Sequence, residues 1–314
     1  MHHKQAWIPL IIICFFLVFP FQVTSIALAS ERLAQEKLSS LSVPDTTTGF
    51  LPSVVSSNGS LSIIRKYYAV LVGINDYPGI GHDLPYSVNQ INAFKNTLLK
   101  GGNWRESNIQ SLTNQNATAS GILSAIAGLA SKEDRNDLSI IYLVGHGGHN
   151  ATNECFIAYD KGICDEELAT AVDHFEGYLV IIIDSCYSGG FIEELQGKKR
   201  IIMTACSKNE STYQYDELHS GFFGYFLNLT LEKFTKTTEA TFLLACPLTI
   251  RYSQQLSDEL GGNYTVHPRV FDGTLGLMKL INRHQYLTPF LGKIFVEPFF
   301  KSYSRVSPRN IWRH

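Results

Sequence analysis

The sequence lacks an excess of charge of either sign. Its 26 Lys and Arg residues stand against 28 Asp and Glu over 314 residues, a formal net charge of −2. A nucleic-acid binder would carry a basic excess, so no nucleic-acid partner is expected. The sequence lacks internal repeats and low-complexity tracts. That excludes a repeat array and leaves 45% hydrophobic residues to build one sizeable core. It lacks any long apolar run after residues 8–21, so no membrane span is expected in the mature chain. It also lacks a metal-ligand constellation. His146 and His149 share a glycine-rich stretch, but no cysteine or acid cluster completes a zinc site. No metal and no cofactor are expected.

What is present begins at the first residues. A basic opening, residues 1–5, precedes a strongly apolar run over 8–21 and the triplet Ala27-Leu28-Ala29. These are the three parts of a secretory signal peptide, 1–29, with cleavage expected after Ala29. An uncleaved anchor is the alternative, although the apolar core is short for a spanning helix. Either way the expected location is secreted or extracytoplasmic. Sequons at Asn58, Asn116, Asn150, Asn209, Asn228 and Asn263 would then be open to glycosylation. Residues 30–64 are rich in Ser, Thr, Pro and Gly and read as a linker or propeptide.

Two apolar stretches carry the chemistry. Leu179 to Ile183 is a run of branched aliphatic residues too short for an ordinary helix. It reads as a strand covered on both faces. The run stops at Asp184, and Ser185, Cys186, Tyr187, Ser188, Gly189 and Gly190 follow. Open α/β sheets bind ligands off the carboxyl ends of their strands, which makes Cys186 a candidate nucleophile. On this segment alone it could equally be a small buried hydrophobe. Leu138 to Val144 is a second such strand, and it delivers His146 between Gly145 and Gly147. A thiol nucleophile needs a base nearby, and glycines let backbone N–H groups approach a reacting carbonyl. Two buried strands ending in these residues, 40 positions apart, point to nucleophilic catalysis by Cys186 with His146.

Other strands are expected over 67–74, 108–112, 200–205 and 275–280, with a hairpin around 156–159. Helices are expected over 84–99, 118–131, 221–234 and 240–260, the last with Pro247 near a helix start. Asp165 is an N-cap candidate for a further helix, and 207–220 and 268–273 read as loops. Strands alternating with helices give an α/β fold with a mostly parallel sheet and helices on both faces.

Gly145-His146-Gly147 and Asp184-Ser185-Cys186-Tyr187-Ser188-Gly189 resemble the two catalytic motifs of the caspase-like cysteine peptidases, and most closely the metacaspase-like prokaryotic branch. The resemblance implies a three-layer α/β/α sandwich over about 65–281, leaving a tail, 282–314, without an assigned role. It implies an endopeptidase acting on a protein or peptide through a Cys186–His146 dyad and an acyl-enzyme. The N–H groups of Gly147 and Cys186 would form the oxyanion hole. Asp184 would bind a basic P1 side chain, giving cleavage after Arg or Lys. Relatives carry Asn-Asp in the first helix to complete this pocket, where this chain has Asn89-Gln90. Asp76, Asp216 and Glu217 are either substitutes for the missing acid or solvated loop charges. Lys198-Lys199-Arg200 is either a self-processing site or a solvated turn. A transpeptidase or sorting enzyme, and a catalytically silent binding module, are the alternatives on the same fold.

Cys14 leaves with the signal. If Cys186 is free, Cys155–Cys164 could close the loop after the histidine strand. Cys206–Cys246 could tie a strand to a later helix.

Overall fold

The computed structural model describes residues 66–79, 81–150, 152–235, 237–274, 278–282 and 311–314. The expected signal peptide, the linker 30–64 and most of the tail lie outside the described residues. The chain divides into units 1–65 and 66–314, and the second contains all that follows.

Its elements run β1 (Tyr67–Gly73), α1 (Ser87–Lys100), β2 (Ile109–Thr113), α2 (Ala119–Ala130), β3 (Leu138–Val144), β4 (Gly147–His149), β5 (Glu154–Ile157) and β6 (Gly162–Cys164). There follow α3 (Asp165–Val172), β7 (Tyr178–Asp184), α4 (Phe191–Leu195), β8 (Arg200–Thr204), β9 (Tyr213–Tyr215) and β10 (Ser220–Gly221). Last come α5 (Phe222–Lys233), α6 (Thr238–Leu260), β11 (Arg269–Asp272) and β12 (Ile311–Arg313). The central sheet has the order β11-β8-β7-β3-β1-β2, parallel throughout except for β11 at one edge.

Period-two alternation divides the core between the two faces of this sheet. Leu71, Tyr142, Val180 and Ile182 point to one side and meet Ile91 and Phe94 of α1, Phe222 and Phe226 of α5, and Phe242 of α6. Val70, Val72, Ile141, Leu143, Ile181 and Ile183 point to the other and meet Ile122 and Ile126 of α2, Leu168 of α3 and Phe191 of α4. Burial on both faces explains why β3 and β7 are unbroken aliphatic runs rather than alternating ones. Each such side chain contributes on the order of 2 kcal/mol by leaving water. The α/β/α sandwich with a mostly parallel sheet is therefore the expected one.

Several local expectations change. Asp165 is the first residue of α3 rather than its cap. Its carboxylate accepts from the N–H groups of Glu154 and Glu166 and from Asn153, so it fastens the helix to β5. Pro247 lies inside α6 instead of starting a helix. Its missing N–H deprives the carbonyl of Leu243, and both residues face solvent, where water can serve that oxygen. The last strand of the sheet is Arg269–Asp272, the segment expected to be a loop, and it pairs with β8. The polar stretch 207–220 contains β9, which pairs with both β10 and β12. Cys155–Cys164 is a disulfide across the β5–β6 hairpin. Cys206–Cys246 is not, for both thiols are free. Cys206 turns inward to Ser188 and to the carbonyls of Ser185 and Glu210, whereas Cys246 faces the Pro268 carbonyl.

Candidate active site

β3 and β7 are neighbours in register, with Val144 opposite Asp184, so the two motifs leave the sheet side by side. The Gly145 N–H donates to the Asp184 carbonyl at 3.3 Å. Gly145 has to be glycine, because a Cβ there would overlap the Tyr77 hydroxyl. That hydroxyl accepts from the His146 N–H at 2.8 Å and donates to the Ile157 carbonyl at 3.1 Å. The Tyr77 ring also packs on the imidazole, centroids 4.7 Å apart.

The His146 Nε2 lies 2.7 Å from the His82 carbonyl. A carbonyl can only accept, so the hydrogen belongs on Nε2 and Nδ1 is left as the basic nitrogen. Burial lowers the imidazole pKa, against contacts with the backbone of His82 and His314 that favour the proton. The ring is accordingly neutral at physiological pH. His82 orients His146 through its backbone, and a main-chain oxygen leaves no trace in residue identities.

Cys186 follows β7 in a tight turn. Tyr187 adopts the left-handed conformation at φ 61°, and its N–H donates to the Glu210 carbonyl at 2.8 Å. The turn aims the thiol at the groove beside β9. Its sulfur meets the carbonyls of Thr212, at 3.8 Å, and of His314. Cys186 is only 1% exposed, because Ile311–His314 lies over it. A cavity of about 400 Å³ opens next to His146, lined by Tyr77, His82, Gly147, Tyr159 and Lys161 among others.

Asp184 is fully buried. Its Oδ2 accepts from Gln90 Nε2 at 2.6 Å and from the Gly224 N–H at 3.1 Å. Its Oδ1 has no hydrogen-bond partner and lies 3.7 Å from Nδ1 of His314. Burial raises its pKa to about 6, opposed by the bonds from Gln90 and Gly224. Burial also holds the His314 imidazole down to about 3, so its contact with the Asp184 carboxylate is not an ion pair near neutrality. Gln90 also donates to the Tyr142 hydroxyl and accepts from Ser220 Oγ and the Gly221 N–H. Its amide therefore satisfies four groups at once, which a carboxylate could not. The proposed substitute acids lie elsewhere. Asp76 bonds Asn114, and Asp216 bonds Tyr86 and Trp312. His149 packs edge-on against Tyr187. Lys199 and Arg200 are tied to the carbonyls of Glu176, Leu195 and Val172.

Imidazole and thiol at the carboxyl ends of adjoining parallel strands, inside an α/β/α sandwich, are the arrangement of the caspase-like cysteine peptidases. Comparison with known proteins gives the same answer. Residues 66–247, more than half of the chain, match the Caspase domain family, and the chain belongs to it. It is 30% identical to Metacaspase-4 of Arabidopsis thaliana over 183 residues, 52% of this chain and 43% of that protein. It is 29% identical to Metacaspase-9 of the same plant over 168 residues, 48% of this chain and 51% of that protein. The chain thus spans about half the length of the curated relatives it matches. The crystal structure of Caspase-1 from Spodoptera frugiperda shares the fold, with a TM-score of 0.54 at 10% identity, covering 76% of this chain and 100% of that one.

Proposed function

We propose that the protein is an exported cysteine endopeptidase that cleaves after Arg or Lys through Cys186 and His146. One observation carries the reading: the Cys186 sulfur and the His146 ring both meet the backbone of a single residue, His314. A peptide carbonyl placed there is within reach of a nucleophile and a base together. Neutral His146 takes the thiol proton, and the thiolate attacks the carbonyl carbon. The protonated imidazole then gives its proton to the leaving amine, and water hydrolyses the acyl-enzyme. The N–H groups of Gly147 and Cys186 are the oxyanion donors of this scheme, each worth about 3 kcal/mol of transition-state stabilisation. The cavity beside His146 supplies room for residues that follow the scissile bond.

The unpartnered Oδ1 of Asp184, buried beside the His314 ring, supports a cationic P1 side chain, which would meet it in a charge-assisted contact. Export rests on the signal-like opening, and the Cys155–Cys164 disulfide fits an oxidising compartment. A peptide-library digest tests the reading. Wild type should cut after Arg or Lys and Cys186→Ala should cut nothing. Equal digestion by both would reject it, and cleavage of Asp-P1 but not Arg-P1 peptides would reject the basic pocket.

A further inference from the structure

Residues 311–314 lie in the groove as a bound peptide would. β12 runs antiparallel to β9, with Ile311 opposite Tyr215, Trp312 opposite Gln214 and Arg313 opposite Tyr213. The ladder continues one step further, the His314 N–H donating to the Thr212 carbonyl at 3.0 Å. This is strand addition, in which backbone bonds hold the ligand and pockets read alternate side chains. The His314 ring fills the buried pocket, its Nδ1 3.1 Å from the Asp184 carbonyl. Gly221 borders that ring so closely that a Cβ would lie 3.3 Å from its Cε1. Arg313 reaches the Tyr187 hydroxyl at 2.8 Å, and Trp312 Nε1 meets Asp216 at 3.3 Å. The His314 carbonyl oxygen rests on the Cys186 sulfur.

We propose that residues 311–314 are a resident substrate mimic, a strand of the chain itself that fills the non-primed half of the groove with His314 as its P1 residue. The enzyme then rests self-inhibited and turns over when a protein substrate displaces the strand. The inference rests on the peptidase reading above.

The fit is good enough to cover the thiol and poor enough to be displaced. His314 Nε2 is buried without a hydrogen-bond partner, and Asp184 Oδ1 is left unpartnered beside it. Orphaned buried polar atoms weaken binding. The imidazole is held neutral by burial, so it brings no charge to Asp184. A substrate with Arg or Lys at P1 makes the same backbone ladder and adds the ionic contact that the mimic lacks. That difference gives the substrate its advantage over an occupant tethered nearby.

Alkylation of Cys186 by iodoacetamide, followed by peptide mapping of the full-length native protein, tests this. It reads thiol access and not turnover, so it stays informative even if no peptidase activity is found. His314→Asp sets a second carboxyl against Asp184, and Arg313→Glu breaks the exposed contacts of Arg313 to the Tyr187 hydroxyl and the Cys186 thiol at no cost to the core. Reactivity follows the fraction of time the strand is displaced, so both variants should label about tenfold faster than wild type. An excess of the peptide Ile-Trp-Arg-His should slow them again. Labelling of both variants within about twofold of wild type would overturn the proposal. So would acceleration that the peptide fails to reverse.

Discussion

Gly147 packs so tightly on the backbone of Cys186 that a Cβ at position 147 would overlap the Cys186 carbonyl oxygen and lie 2.9 Å from its carbon. The two strand ends meet through that contact. Only hydrogen fits there, so the close approach of the motifs depends on glycine in a way that the identities of His146 and Cys186 alone do not reveal.

Gly147→Ala should therefore push the His146 segment away from Cys186. The expected loss in kcat/KM on a basic-P1 peptide is about 100-fold or more, as for removal of an oxyanion donor. The melting temperature should fall as well, since backbone must shift on both sides of the contact. Wild-type kcat in a well-folded Gly147→Ala protein would remove the pair from the catalytic account.

Asp184 yields a pH prediction with a definite sign. Burial raises its pKa from 3.8 to about 6. The carboxylate that would read a P1 cation is charged above that pH and neutral below it. Relative to Asp184→Asn, wild-type kcat/KM for Arg-P1 peptides should fall as pH drops through about 6, and the comparison cancels the common titration of His146. Stability runs the other way. Between 3.8 and about 6 the native state holds a proton that the unfolded chain has lost, so wild-type stability declines as pH rises across that window. The advantage of Asp184→Asn in urea midpoint should thus grow from pH 4 to 6 and stay constant above. A difference independent of pH would show that Asp184 titrates as in the unfolded chain.

The readable parts of this fold were those that burial dictates. β3 and β7 are covered on both faces, which forces continuous aliphatic runs, and the glycines around His146 and Cys186 mark where backbones come close. The elements that escaped are governed by pairing instead. β9 is three residues, Tyr-Gln-Tyr, inside a polar stretch, and β11 is a largely exposed edge bounded by Pro268 and Gly273. Neither buries enough apolar surface to leave a period. β12 and His314 reach the site across more than a hundred residues of sequence, which no local pattern encodes. A second disulfide, Cys206–Cys246, was open on residue identity, but identity carries no geometry, and the two thiols face different partners. Gln90 stood out as a departure from the family pattern. That its amide bridges Tyr142, Asp184, Ser220 and Gly221 is a fact of contact alone.

The Cys155–Cys164 bridge spans 9 positions between residues directly opposed in the β5–β6 hairpin. Closing so short a loop should contribute about 2–3 kcal/mol. β5 also pairs with β4, which follows His146, so loosening the hairpin reaches the site. The double Cys155→Ser, Cys164→Ser variant should melt roughly 5–10 °C lower in calorimetry, by the usual scaling for a domain of this size. Reductant should lower wild type towards the variant and leave the variant unmoved. An unchanged melting temperature would mean that the hairpin is held by its other contacts.

Glu210 governs the turn that presents Cys186, although it touches neither Cys186 nor the pocket. Its backbone carbonyl takes the Tyr187 N–H, and Tyr187 is the left-handed residue that follows the thiol. Its carboxylate is what keeps that carbonyl in place, accepting from the N–H groups of Ser207 and His267, each at 3.0 Å, and meeting His267 Nδ1 at 2.6 Å. Burial alone would raise its pKa, but the bonds from Ser207 and His267 outweigh burial and lower it. A depressed carboxyl pKa adds stability that is present above the ordinary Glu range and lost as pH falls through the folded value. Glu210→Gln keeps the shape and removes the charge, so its stability should fall less than that of wild type between neutral pH and the acid range. Because Glu210 acts through Tyr187, kcat should drop by about tenfold while KM stays near wild type, the pattern of a lost transition-state contact. Glu210→Ala should drop further, since it also frees the two N–H groups. A Glu210→Gln enzyme with wild-type kcat and an unaltered acid transition would assign the hold on Tyr187 to the backbone bonds of the loop, without the carboxylate.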